Sequence, residues 1–203
     1  MKTLHQHKFL DHLAKAVRIL TIPPVILTAF CFLLNGFRPE VFHSRPLELF
    51  FMILFLGIIP TLAYPLHAII PALKRKGRIA QRWTAFVFAG TGYLAGLLYG
   101  FLSGSDSTVK LVYTVYFITF VILTIVNILK IKASAHASGT IGPLILIVIE
   151  VSPWFALSSL PIYFLSLWAS VRLKRHTVKE YVIGSLCCGA AIALSYMLSY
   201  FLF

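Results

Sequence analysis

Two short polar stretches set between long apolar runs hold most of the residues able to do chemistry. They are Lys130-Ile-Lys132-Ala-Ser134-Ala-His136 and, about forty residues later, Arg172-Leu-Lys174-Arg175-His176-Thr-Val-Lys179-Glu180. In the first, a four-residue interval sets Lys132 and His136 on neighbouring turns of one helical face, with the Ser134 hydroxyl two residues before the histidine. In the second, Arg172, His176 and Glu180 repeat that interval, so one helical stripe would offer a cation, an imidazole and a carboxylate in order. The carboxylate orients the imidazole and favours its protonated form, while the cations hold a phosphate. Two histidines across one pocket are what histidine-based phosphoryl transfer requires: one attacks phosphorus and the other protonates the leaving oxygen. The plainer reading is that basic residues at helix ends anchor to headgroups and that an interfacial histidine has no chemical task. Two histidines on one side, each flanked by cations, favour the chemical reading.

The elements that must position these residues are read from composition and punctuation. With 59% hydrophobic residues, 12% charged ones and a mean hydropathy of +0.89, the 203-residue chain has too little polar surface for a soluble globule. The expected fold is all-α, a polytopic membrane helical bundle of about seven transmembrane helices. These are expected at about 19–36, 47–72, 83–102, 109–130, 137–150, 153–172 and 178–203, forming a single transmembrane domain over 19–203. Residues 1–18 alternate apolar and charged side chains at helical spacing, which predicts an amphipathic segment lying on the membrane surface. Pro23-Pro24 kinks or starts the first spanning helix, and Glu150-Val-Ser-Pro153 divides 137–172 into two helices or one broken one. The charged lead-in and the lack of a small-residue cleavage site argue against a removed signal sequence.

The formal charge of +12 sits in short loops beside apolar runs, which points to anionic headgroups and phosphates and away from nucleic acid. Seven crossings put fifteen of the 18 lysines and arginines on the side of the two polar stretches and leave Arg38, Arg45 and Lys110 opposite. The expected arrangement is therefore an integral, multi-pass protein with N-terminus and polar site cytoplasmic and C-terminus external. Cys31, Cys187 and Cys188 lie in apolar runs without metal-ligand spacing, and His5 and His7 point to different sides of a helix, so no metal site is expected. The glycines at 90, 92, 96 and 100 favour close helix packing over a nucleotide loop.

At Ser134-Ala-His136 and at Ala169-Ser-Val-Arg-Leu-Lys-Arg-His176-Thr-Val-Lys-Glu180 the sequence resembles the type 2 phosphatidic acid phosphatase superfamily, which includes haloperoxidase-like proteins. Its motifs are K-x6-R-P, P-S-G-H and S-R-x5-H-x3-D on a six-helix core. The resemblance implies that His176 is the nucleophile that becomes phosphorylated, His136 the acid for the leaving group, Ser134 a phosphate ligand and Glu180 the carboxylate partner of His176. It also implies that the six core helices run from about 48 onward, with the first helix an addition. Departures are specific: Ala133 and Ala135 replace the proline and glycine of the second motif, and Ser170 stands where the third has its phosphate-binding arginine. Arg172 or Arg175 would substitute for that arginine. Lys130 and Lys132, or Arg75 and Arg82 with Trp83 in place of proline, would supply the charge of the missing first motif.

The expected function is thus a membrane-embedded phosphatase hydrolysing a lipid or prenyl monophosphate or pyrophosphate through a phosphohistidine intermediate. It needs no cofactor, binds the bilayer and its lipid substrate, and leaves oligomeric state open. The alternative is a catalytically degenerate relative that binds lipid phosphate or serves a structural role, favoured by Ser170 and the missing motif. A small transporter is motivated only by Glu150, expected otherwise to cap a turn, and by the broken helix. His67 and Tyr64 either line the same pocket or anchor at the interface.

Overall fold

The computed structural model describes residues 2–71, 75 and 77–202, with the side chains of residues 2–7, 78 and 79 left out; Lys74 and Lys76 of the basic loop fall outside it. Every regular element among the described residues is helical. The chain forms α1 (Lys2–Leu20), α2 (Pro23–Phe37), a short α3 (Glu40–His43), α4 (Glu48–Ile69), α5 (Gly77–Leu102), α6 (Ser107–Ile128), α7 (Ala135–Val151), α8 (Ala156–Arg172) and α9 (Val178–Leu202). Helices α4, α6 and α9, the stretch Ala80–Leu102 of α5 and the stretch Pro153–Arg172 ending in α8 are long and apolar enough to cross a membrane. The bent pair α1 and α2 makes up to six. Helix α7 is apolar but shorter.

Proline sets several of these boundaries. Ile22 is extended (φ −63°, ψ 143°), the conformation favoured before a proline, and α2 opens with Pro23 at its first turn. The helical segments on either side of this break bend by 50°. Pro60 lacks an N–H, and the turn before it, Leu54–Ile58, widens to a π-helix.

Helices α2, α4, α5, α6, α9 and α7 pack in that cyclic order, α7 closing on α2, while α8 lies against α7 and α1 covers α8. Phe30, Leu34, Met52, Val112, Tyr113 and Leu146 are fully buried at the centre, and all three cysteines are buried and free. Small residues carry the close crossings: a Cβ on Gly92 would lie 2.5 Å from the Phe55 carbonyl oxygen, and one on Gly96 or Gly100 2.7 Å from the Tyr113 ring. Large apolar side chains such as Leu102, Ile128, Trp154, Leu157 and Phe201 are exposed on the outside, as a lipid-facing surface requires.

At the end remote from the two polar stretches, Arg38 donates to the Glu150 carboxylate (2.8 Å), and Tyr196 donates to its other oxygen. Glu150 therefore does not cap a turn; it joins α2, α7 and α9 as one half of an ion pair. The same pairing removes the motive for an ion path. Sequence separation hid it, because Arg38 lies 112 residues away.

Candidate functional site

Both polar stretches begin with the same helix ending. At the end of α6, Lys130 adopts a left-handed conformation (φ 60°), with its N–H on the Asn127 carbonyl and the Ile131 N–H on Val126. At the end of α8, Lys174 does the same (φ 52°), with its N–H on Val171 and the Arg175 N–H on Ser170. Each is a Schellman ending that usually takes glycine, and here lysine carries the strain. The chain consequently leaves each helix before the histidine. Arg172, His176 and Glu180 do not form one helical stripe: Arg172 ends α8, His176 lies in the connection and Glu180 sits in the first turn of α9. Lys132 likewise lies in the non-helical stretch before α7 and shares no helical face with His136.

Two N-terminal caps then restart the chain. Ser134 is fully buried and its hydroxyl accepts from the Ala137 N–H, capping α7. Thr177 and Glu180 form a reciprocal capping box on α9, with the Glu180 N–H on the Thr177 hydroxyl (3.2 Å) and the Thr177 N–H on the Glu180 carboxylate (3.3 Å). The same Glu180 oxygen meets His176 Nδ1 at 3.3 Å. A bond from the Ser134 N–H to the Glu180 carbonyl (2.9 Å) and one from the Ser138 hydroxyl to the Gly184 carbonyl (2.6 Å) lock the two stretches together. A Cβ on Gly184 would lie 2.3 Å from the Ser134 carbonyl oxygen, so this approach requires glycine.

His136 points its Nε2 at the Ser166 hydroxyl (3.4 Å), which accepts from the buried Tyr181 hydroxyl (2.9 Å). Ser166 accepts from Tyr181 and pairs with His136 Nε2 as donor or acceptor according to the tautomer of the ring. His136 and His176 lie within electrostatic range of each other, and Arg18 acts on both. The Arg18 guanidinium donates to the Ser170 hydroxyl at 3.1 Å. Arg82 reaches His176 electrostatically and Lys132 reaches Glu180. Arg172 pairs with Asp11 at 2.9 Å and so ties α8 to α1. Arg175 is exposed within the field of Arg18, and Lys130 and Arg75 are exposed. His67 meets the Gly77 carbonyl at 3.2 Å and braces its own connection. Tyr64 is half exposed but within the field of Arg18.

Burial lowers the His176 pKa, partly offset by Glu180, while Arg18 and Arg82 lower it further. The His176 ring is therefore neutral near neutral pH.

Sequence reasoning missed Arg18, because an amphipathic pattern assigns its charged face to solvent. Asp11, Ala14 and Arg18, spaced by three and four, instead form the face that meets α8, with Ala14 fully buried. The capping box was also missed, although the spacing Thr177-Val-Lys-Glu180 carries its signal.

These features define an all-helical protein of membrane-spanning character with a cationic, two-histidine site at one end of the bundle. No protein-family model, curated protein or solved structure matches the chain.

Proposed function

We propose that this site hydrolyses a phosphate ester or pyrophosphate carried on a lipid or prenyl chain, and that the chain is a divergent relative of the type 2 phosphatidic acid phosphatases. The observation that carries this reading is the convergence of His136 and His176 from stretches forty residues apart, with Glu180 holding Nδ1 of His176. A proton on Nδ1 leaves the Nε2 lone pair free to attack phosphorus. As the P–O bond to the lipid breaks, His136, charged by the bound phosphate, gives its proton to the leaving oxygen. Water then cleaves the P–N bond and inorganic phosphate departs. Lys132, Arg82 and Arg175 surround the anion, Ser134 positions α7 through its cap, and Arg172 holds α1. The excess of Lys and Arg in the adjoining stretches supports a cytoplasmic site and N-terminus and an external C-terminus, with α7 as a seventh crossing.

The test is phosphate release from a panel of prenyl and glycerolipid phosphates and pyrophosphates by the purified chain, with acid quenching of a ³²P-labelled substrate. The expected result is turnover with an acid-labile, base-stable phosphoprotein. A chain that turns over none of the panel overturns the reading in favour of lipid-phosphate binding without catalysis.

The pH profile is a second check. Because the His176 pKa is lowered, kcat/KM is expected to stay level or rise as pH falls from about 8 to about 6, without the acid limb that an ordinary histidine of pKa about 6.5 would impose. A fall of about fourfold between pH 8 and pH 6, steepening below about pH 6.5, would show that His176 titrates as an ordinary imidazole.

A further inference from the structure

Beside the histidine pair lies an open groove of about 620 Å³ between the end of α1 and the connection from α8 to α9. Four of its seven lining residues are cations (Lys15, Arg18, Lys174 and Arg175), and the other three are Ile19, Ile22 and Leu173. Positive charge beside aliphatic side chains, at the end of an apolar bundle, suits a ligand with an anionic head and a hydrocarbon tail. Arg18 belongs to the groove and to the histidine site at once: it lines the first, donates to Ser170, and acts on both His136 and His176.

The placement of Arg18 is built into the fold. The Thr140 hydroxyl donates to the Thr21 carbonyl (3.0 Å) and also to the His136 carbonyl (2.8 Å), so the bend after α1 is fastened to the turn of α7 that carries His136. A Cβ on Gly139 would lie 2.7 Å from Pro23, which fixes the start of α2 against the same turn. Asp11 with Arg172 secures α1 one face-repeat earlier. The helix that carries Arg18 is thus fastened at three points, which sets the guanidinium against the Ser170 hydroxyl of α8.

Building on the hydrolase reading, we infer that α1 completes the binding site. The groove seats the phosphate headgroup of an anionic lipid, and Arg18 is the guanidinium that clamps the phosphate and hands it to the histidine pair. Its planar fork suits two phosphate oxygens at once, which the lysines of the groove do not match. The apolar residues serve the lipid chain alone, so a lipid phosphate gains from the whole groove and free phosphate only from its cations.

The experiment is equilibrium binding by the full chain in zwitterionic detergent. The probes are a phosphonate analogue of dioctanoyl phosphatidic acid, whose C–P bond resists hydrolysis, inorganic phosphate, and dioctanoylglycerol. The phosphonate is expected to bind more tightly than phosphate, and the glycerolipid without phosphate not to bind. Arg18→Ala is expected to weaken both anions about 10- to 100-fold, and Arg18→Lys, which keeps charge and bulk, to give an intermediate loss. Arg18→Ala combined with Ser170→Arg regrows a guanidinium from the partner 3.1 Å away and is expected to restore most of the affinity. Equal affinity of Arg18→Ala and wild type for the phosphonate, or equal affinity of wild type for phosphonate and glycerolipid, overturns the inference. A chain that binds the phosphonate through Arg18 yet releases no phosphate sinks the hydrolase reading alone. One that releases phosphate unimpaired in Arg18→Ala sinks the inference alone.

Discussion

Replacing His176 with alanine is expected to lower phosphate release by about ten-thousand-fold or more, and replacing His136 by about a hundred- to ten-thousand-fold, with the helical fold kept in both. The difference follows from what each ring does. His176 forms the bond to phosphorus, and its Nδ1 is already occupied by Glu180, so no neighbouring group can take over the Nε2 attack. His136 supplies a proton, and a leaving group that needs none should not miss it. With an aryl phosphate whose phenolate leaves unassisted, His136→Ala is expected to recover most of the wild-type rate and His176→Ala none of it. The acid-labile phosphoprotein should vanish in the His176 variant and persist in the His136 variant. Both side chains are only partly buried, and neither anchors the apolar centre, so thermal melting is expected to shift little. Wild-type-like turnover by the His176 variant would overturn the proposed mechanism, as would a His136 variant equally impaired on both substrate types.

The helical architecture was legible because its signals are local. Apolar runs, proline pairs and charged connections mark the long apolar helices, whereas the short α3 and the two caps at Ser134 and Thr177-Val-Lys-Glu180 went unread. Two kinds of feature were not legible. The first is backbone conformation that contradicts residue preference: Lys130 and Lys174 occupy left-handed positions where glycine would have been the signal, so the stripes through 132 and 136 and through 172, 176 and 180 looked continuous. The second is pairing across long sequence intervals. Arg18 meets Ser170 at a separation of 152 residues and Arg38 meets Glu150 at 112, and no periodicity in either segment encodes the other. The resemblance registered Ser170 as a lost charge, whereas in three dimensions a guanidinium from another helix stands 3.1 Å from it.

The second large effect is expected at Gly184. Gly184→Ala should abolish phosphate release and lower the melting temperature, whereas Gly189→Ala, five residues further along the same helix, should leave turnover intact and stabilise α9 by about 1 kcal/mol. Helix propensity favours alanine at both positions, so any loss at Gly184 comes from packing. A methyl at Gly184 would lie 2.3 Å from the Ser134 carbonyl oxygen and 2.9 Å from its nitrogen, while one at Gly189 meets nothing within 4 Å. The contact at Gly184 is with backbone, which cannot rotate away as a side chain can. Relief requires α9 to move off the Ser134 connection, at a cost of about 1–3 kcal/mol or more. That movement breaks the Ser134 N–H bond to the Glu180 carbonyl and the Ser138 bond to the Gly184 carbonyl, two links that hold the start of α7 to the start of α9, the helix that follows His176. A displacement of about 1 Å between nucleophile and acid costs on the order of a hundredfold in rate even where the fold survives. The telling measurement is therefore activity in Gly184→Ala under conditions where it remains folded. Full activity there would mean that the two histidines do not work as a pair.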